Sequence, residues 1–100
     1  MNIYFACSIT GGREFQPIYR AITIALLADG HIVPTAHLAG EDIQALEAKV
    51  AAAEVFARDT AWIKACDAVV AEVSTPSHGV GYEIAYALGL GKPVLCLFRK

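Results

Sequence analysis

Two carboxylates and a run of small residues are the parts of this sequence best suited to chemistry. Glu83 closes the stretch Ser74-Thr75-Pro76-Ser77-His78-Gly79-Val80-Gly81-Tyr82-Glu83. Ahead of it, Asp67 to Val73 is apolar and β-branched, which predicts a buried strand. Behind it, Ile84 to Leu90 predicts a helix that Gly91 ends. A strand, a small-residue loop and a helix in that order present backbone N–H groups at a positive helix end. Such a nest suits a phosphate or a polar sugar. Glu83 is then expected in the first helical turn, where the dipole favours its ionised form by ~0.3–1 kcal/mol. A charged carboxylate there is placed to act as a nucleophile or to stabilise an electron-poor sugar carbon. The plain structural alternative is a glutamate that serves the dipole alone.

Asp59, in Ala57-Arg58-Asp59-Thr60-Ala61-Trp62, is the second carboxyl. It can serve as a general acid where burial raises its pKa enough to hold a proton. Against that stands a solvated helix residue paired with Arg58 or Lys64, and a separation of 24 residues says nothing about distance. Tyr4 sits on an expected first strand, where a core aromatic is the simpler reading. His37 and His78 fall in loops without a third ligand at metal-site spacing, so no metal is expected. Cys7 lacks the orienting partners of a cysteine nucleophile. In Gly79-Val80-Gly81 the third glycine of a dinucleotide fingerprint is replaced by Ile84, and no Walker loop occurs. No cofactor is implied.

The elements that must position these groups follow from periodicity. Asn2 to Cys7 reads as the first strand, and Ser8 to Arg13 breaks it with two glycines. Ile18, Ile22, Ala25 and Leu26 mark a helix that opens at Pro17 and closes at Asp29-Gly30. His31-Ile32-Val33 reads as a short second strand stopped by Pro34. A helical region runs from about Ile43 to Cys66, either continuous or as two helices broken near Ala52. Lys92 to Phe98 forms the last strand. Alternating β and α elements with apolar strands predict an α/β fold, a parallel sheet with helices on both faces. Ligands of such sheets bind beyond the carboxyl ends of the strands, where the Ser8–Arg13 and Ser74–Gly81 loops both lie.

The chain has 100 residues, 56% hydrophobic and 18% charged, which predicts one small domain over residues 1–100 with apolar surface to cover. A net charge of −2 with scattered Lys and Arg argues against nucleic-acid binding. Cys7, Cys66 and Cys96 lie in or beside apolar runs, as reduced thiols of a cytoplasmic protein would. No apolar run reaches the roughly 18 residues of a membrane span.

Tyr4 to Glu14, Arg58-Asp59-Thr60-Ala61-Trp62, and Asp67 to Val73 followed by Pro76 to Glu83 together resemble the 2'-deoxynucleoside 5'-phosphate N-hydrolases, relatives of the nucleoside 2-deoxyribosyltransferases. The Ser-x-Gly-Val-Gly-Tyr-Glu segment is the most specific part. The resemblance implies a flavodoxin-like three-layer fold with four strands in the order 2-1-3-4, and a homodimer. It implies hydrolysis of the bond between base and sugar in deoxynucleoside 5'-monophosphates, with a small-molecule deoxynucleotide as partner and no cofactor. Glu83 would be the nucleophile, Asp59 the acid for the leaving base, and Tyr4 the residue that sets the nucleophile. Substrate contacts are implied for Cys7, Ser8, Ile9, Thr10, Gly11, Gly12, Arg13, Tyr19, His37, Ser77 and Gly79. Cys7 stands where the family usually has glycine, Thr10 where it usually has arginine, and His78 where it has an apolar residue. Relative to that family the chain stops after its fourth strand, short of a fifth strand and a C-terminal segment. Base exchange between deoxynucleosides, and nucleotide binding without turnover, are the alternatives.

Overall fold

The structure is a computed structural model that describes residues 1–8, 14–36 and 51–99. Strand β1 (Ile3–Ala6) is followed by helix α1 (Gln16–Ala28), then helix α2 (Ala52–Ala65), strand β2 (Ala68–Glu72), helix α3 (His78–Gly89) and strand β3 (Val94–Leu97). The strands are parallel and lie in the order β1-β2-β3, with Tyr4 opposite Val69 and Val70 opposite Leu95.

Strand β1 is buried on both faces, and its period of two divides the core. Ile3, Phe5 and Cys7 pack toward α1, where Tyr19 meets Phe5 edge-on at 6.3 Å. Tyr4 and Ala6 belong to the opposite cluster, with Ile63 of α2 and Val80 and Ala87 of α3. Helix α1 therefore covers one face of the sheet, and α2 and α3 cover the other. Among the described residues, no helix is long and apolar enough to cross a membrane.

Both glycine stops act as the sequence suggests. Gly30 (φ 84°) and Gly91 (φ 75°) each follow a helix in the left-handed region. Their amides donate to Leu27 and Leu88, and the next amides, of His31 and Lys92, donate to Leu26 and Ala87. These are the paired bonds that close a helix end. At the start of α2, Ala51 is extended (ψ 142°), so the helix begins at Ala52. A helix that runs unbroken through Ala51 is therefore not what forms; residues 43–50 lie outside the described residues.

Two expectations need correction. The sheet has three strands in the order 1-2-3 among the described residues, not four in the order 2-1-3-4. His31-Ile32-Val33 makes only an isolated parallel bridge, Asn2 to Ile32. Pro34 explains why the pairing stops, since it bears no N–H and cuts short any ladder. The next β1 amide on that side, Phe5 N, donates to the Thr35 side chain (Oγ1, 3.0 Å) instead. The second correction concerns α3. It starts at His78 and absorbs Gly79 and Gly81, so Glu83 lies in its second turn, beyond the reach of the helix end.

Candidate active site

The last strand residue before α3 sets up the turn that enters it. Glu72 is buried at the end of β2 and accepts from the Ser74 amide (2.6 Å) and hydroxyl (2.9 Å). The Ser74 hydroxyl accepts in turn from the Arg99 amide at 2.8 Å, tying the exits of β2 and β3 together. Ser77 then caps α3, its Oγ accepting from Val80 N at 3.2 Å. Gly79 and Gly81 have ordinary helical φ, and a Cβ added to either would meet no clash. A Cβ at Gly79 would only touch Ser77 Oγ at 3.7 Å, and Gly79 borders a cavity.

This cavity has a volume of about 330 Å³, near the lower end of small-molecule sites. Asp59 reaches it from α2, Glu83 and Ser77 from the start of α3, and Cys7 from the exit of β1. Tyr4 is fully buried beneath, and its hydroxyl donates to Glu83 Oε2. The even register of β1 makes this possible, because it turns Tyr4 toward α3 and not toward α1.

Electrostatics distinguish the two acids. Glu83 is mostly buried and its carboxyl is pushed up to about 7, chiefly by loss of solvent and further by the negative charge of Asp59. The Tyr4 hydrogen bond and the positive charge of Arg58 act in the other direction. Burial, rather than a helix dipole, thus governs Glu83, and the expectation of a carboxylate held charged by the helix end is replaced. Tyr4 is held in its neutral form well beyond the usual phenol range, by burial first and by Glu83 second. It is a hydrogen-bond donor at any working pH. Asp59 is paired: Arg58 Nε donates to its Oδ1 at 2.9 Å, and the Arg58 guanidinium lies 4.9 Å from the centre of the Trp62 ring.

A buried tyrosine, a carboxyl poised near neutrality and a second carboxyl converge on one cavity at the carboxyl ends of parallel strands. The family model described as nucleoside 2-deoxyribosyltransferase matches residues 3–100. The chain belongs to the nucleoside 2-deoxyribosyltransferase family. Within that family it is 45% identical over 100 residues to the mouse (Mus musculus) protein named 5-hydroxymethyl-dUMP N-hydrolase, covering 98% of this chain and 57% of that one. To the rat (Rattus norvegicus) protein of the same name it is 44% identical over 100 residues, covering 98% and 61%. The chain thus spans little more than half the length of these two deoxyribosyltransferase-family relatives. Among solved structures, the 2-desoxiribosyltransferase from Leishmania mexicana superposes with a TM-score of 0.71 at 21% identity, covering 99% of this chain and 65% of that one. That likeness is one of fold: an α/β domain with a parallel sheet.

The remaining positions singled out in the sequence fall into three groups. Cys7, Ser77 and Gly79 line the cavity together with Glu83 and Asp59. Ser8 is buried just past the exit of β1, and Tyr19 lies on the far side of the sheet, in the core under α1. Ile9, Thr10, Gly11, Gly12, Arg13 and His37 lie outside the described residues. Phe56, Thr60 and Tyr82, which carry no functional signature of their own in the sequence, also line the cavity. Phe56 precedes Asp59 by one turn, so helical spacing from that acid is the available signal for it; Tyr82, adjacent to Glu83, has no such signal. Their rings meet at 5.7 Å.

Proposed function

We propose that this cavity hydrolyses the N-glycosidic bond of 2'-deoxynucleoside 5'-monophosphates, releasing free base and 2-deoxyribose 5-phosphate. The observation that carries the reading is the Tyr4 hydroxyl bonded to Glu83 in a cavity that Asp59 shares. The names of the mouse and rat relatives, which describe hydrolysis of a deoxynucleoside monophosphate, support it.

In this mechanism ionised Glu83 attacks C1' as the bond to the base breaks. Tyr4 aims the carboxylate by holding Oε2, which leaves Oε1 to face the sugar. The proton that Glu83 gives up on ionising is carried by Asp59, on the oxygen that Arg58 does not hold, and passes from there to the departing base as the electron pair of the C1'–N bond leaves with that base. The product is a glycosyl ester on Glu83. Asp59, now ionised, takes a proton from water, whose oxygen attacks C1' and frees Glu83. A 2'-deoxy sugar eases the first step, since no 2'-hydroxyl withdraws electrons from the developing cation. The N-terminal amides of α3, capped at Ser77 and beside the cavity at Gly79, suit the 5'-phosphate. Cys7, Ser8, Ile9, Thr10, Gly11, Gly12, Arg13 and His37 are retained as proposed contacts on family resemblance; Tyr19, packed in the core on the other face of the sheet, is not.

Base exchange is the second reading, favoured by the description of the family model. There a second base, rather than water, takes the sugar from Glu83. Incubation with deoxynucleoside monophosphates, among them 5-hydroxymethyl-dUMP, with and without an acceptor base separates the two. Release of base without acceptor supports hydrolysis. Turnover that requires the acceptor supports exchange, and none under either condition refutes both.

A flavodoxin-like layering, a homodimer and a cytoplasmic location are parts of the same proposal. The dimer is supported by the large apolar side chains left exposed on the described surface, among them Phe56, Leu88 and Leu95. Sedimentation equilibrium measures it directly.

A further inference from the structure

Arg58 adjoins Asp59 in sequence, and adjacent residues of a helix point about 100° apart. Contact between them is not the default, and a solvated arginine would extend into water. Here the side chain bends sideways instead: Nε reaches Asp59 Oδ1 at 2.9 Å, and the guanidinium lies over the ring of Trp62, one turn further along α2. Both members of the pair are largely sheltered, with side-chain exposures of 25% for Arg58 and 17% for Asp59. The arginine charge is also felt deeper in the site, at both Tyr4 and Glu83.

We infer that Arg58, seated on Trp62, is a positioning residue of the cavity: it fixes the carboxyl of Asp59 and offsets that residue's negative charge where Glu83 shares the cavity. The inference rests on the reading of Asp59 and Glu83 as a working pair. The need for such a group follows from the charges present. From β1, Tyr4 faces Glu83; from α2, Asp59 and Arg58 do, and these are the described groups whose charge or hydrogen bond acts on it. Two carboxyl groups with one proton between them, and a buried phenol, would otherwise share a small space with a phosphate-bearing substrate. Each further negative charge makes the ionised nucleophile harder to form. A planar guanidinium meets both demands, since it can donate in plane to Asp59 while its face rests on an indole.

Arg58→Gln and Arg58→Lys test the two halves of the role. In Arg58→Gln the charge is lost, and the ascending limb of the kcat/KM profile moves to higher pH by on the order of half a unit. In Arg58→Lys the charge remains, so the limb stays in place. Its kcat still falls, because an ammonium cannot hold Asp59 and lie flat on Trp62 together. KM changes less than kcat in both variants. A limb in Arg58→Gln that coincides with the parent overturns the inference, as does a parental kcat in Arg58→Lys. The Glu83 carboxyl can also be titrated by carbon-13 NMR, which needs no turnover. If the parent releases no base from any deoxynucleotide, the glycosidase reading fails, while this titration still decides Arg58. Should Arg58→Gln fail to fold, Trp62→Leu removes the platform alone and is expected to move the Glu83 titration in the same direction. An unmoved titration there overturns the inference as well.

Discussion

Glu83→Gln separates the protonation of the site from its catalysis, and its effect on stability can be worked out in advance. Glutamine keeps the shape, and its amide oxygen can accept the Tyr4 hydroxyl as Oε2 does. It removes only the charge. In the folded protein the Glu83 carboxyl is pushed up to about 7 from its ordinary value of 4.5. The folded pKa is raised, so the native state holds a proton that the unfolded chain has already lost between those two values. Stability therefore falls as pH rises through that window and is flat on either side of it. At about 1.4 kcal/mol per unit the total is about 3 kcal/mol, a large share of the stability of a small domain. Glu83→Gln escapes this loss. Relative to the parent it is expected to gain about 3 kcal/mol between roughly pH 4 and pH 8.5, whatever constant offset the amide introduces. The assay is urea unfolding at a series of pH values, followed by the fluorescence of Trp62, the single tryptophan, and by far-ultraviolet circular dichroism. A difference between parent and variant that stays flat across the window would refute the reasoning, because Glu83 would then ionise without cost in the folded state.

Three further outcomes follow from the same geometry. Tyr4→Phe removes the donor that favours ionised Glu83, so the ascending limb of kcat/KM, expected near 7 in the parent, moves to higher pH and kcat falls; initial rates across pH read both. Asp59→Asn is expected to lower kcat by roughly 10²- to 10⁴-fold for ordinary bases. The loss should be far smaller for a deoxynucleotide whose leaving group needs no proton, and an equal loss for both would assign Asp59 another role. Ser77→Ala deletes the cap of α3, with an expected cost of about 1 kcal/mol in denaturant unfolding and a raised KM for the phosphate-bearing substrate.

Much of the fold was legible from local pattern. The apolar runs at Ile3–Ala6, Ala68–Glu72 and Val94–Leu97 became the parallel strands, and Gly30 and Gly91 ended the helices before them and after. Such features depend on a few neighbouring residues, so the chain spells them out directly. The bridge at Ile32 shows the limit: a β-branched run suggested a strand, but Pro34 and the Thr35 hydroxyl left it a single pairing with β1. The helix start at His78 shows another, since Ser77 supplied a cap earlier than the small residues around it suggested.

The site divides along the same line. Residue type and placement singled out Glu83, the short motif around it was enough to suggest a family, and the resemblance to that family brought in Asp59 and Tyr4. Tertiary structure decided that Tyr4 faces α3, that Asp59 and Glu83 border one cavity from different helices, and that Arg58 stands between Trp62 and Asp59. It also raised the proton affinity of Glu83 above what a helix end would give. A carboxyl's proton affinity depends on the solvent it loses and the charges it meets, and both are set by segments remote in sequence that only the packed sheet brings together.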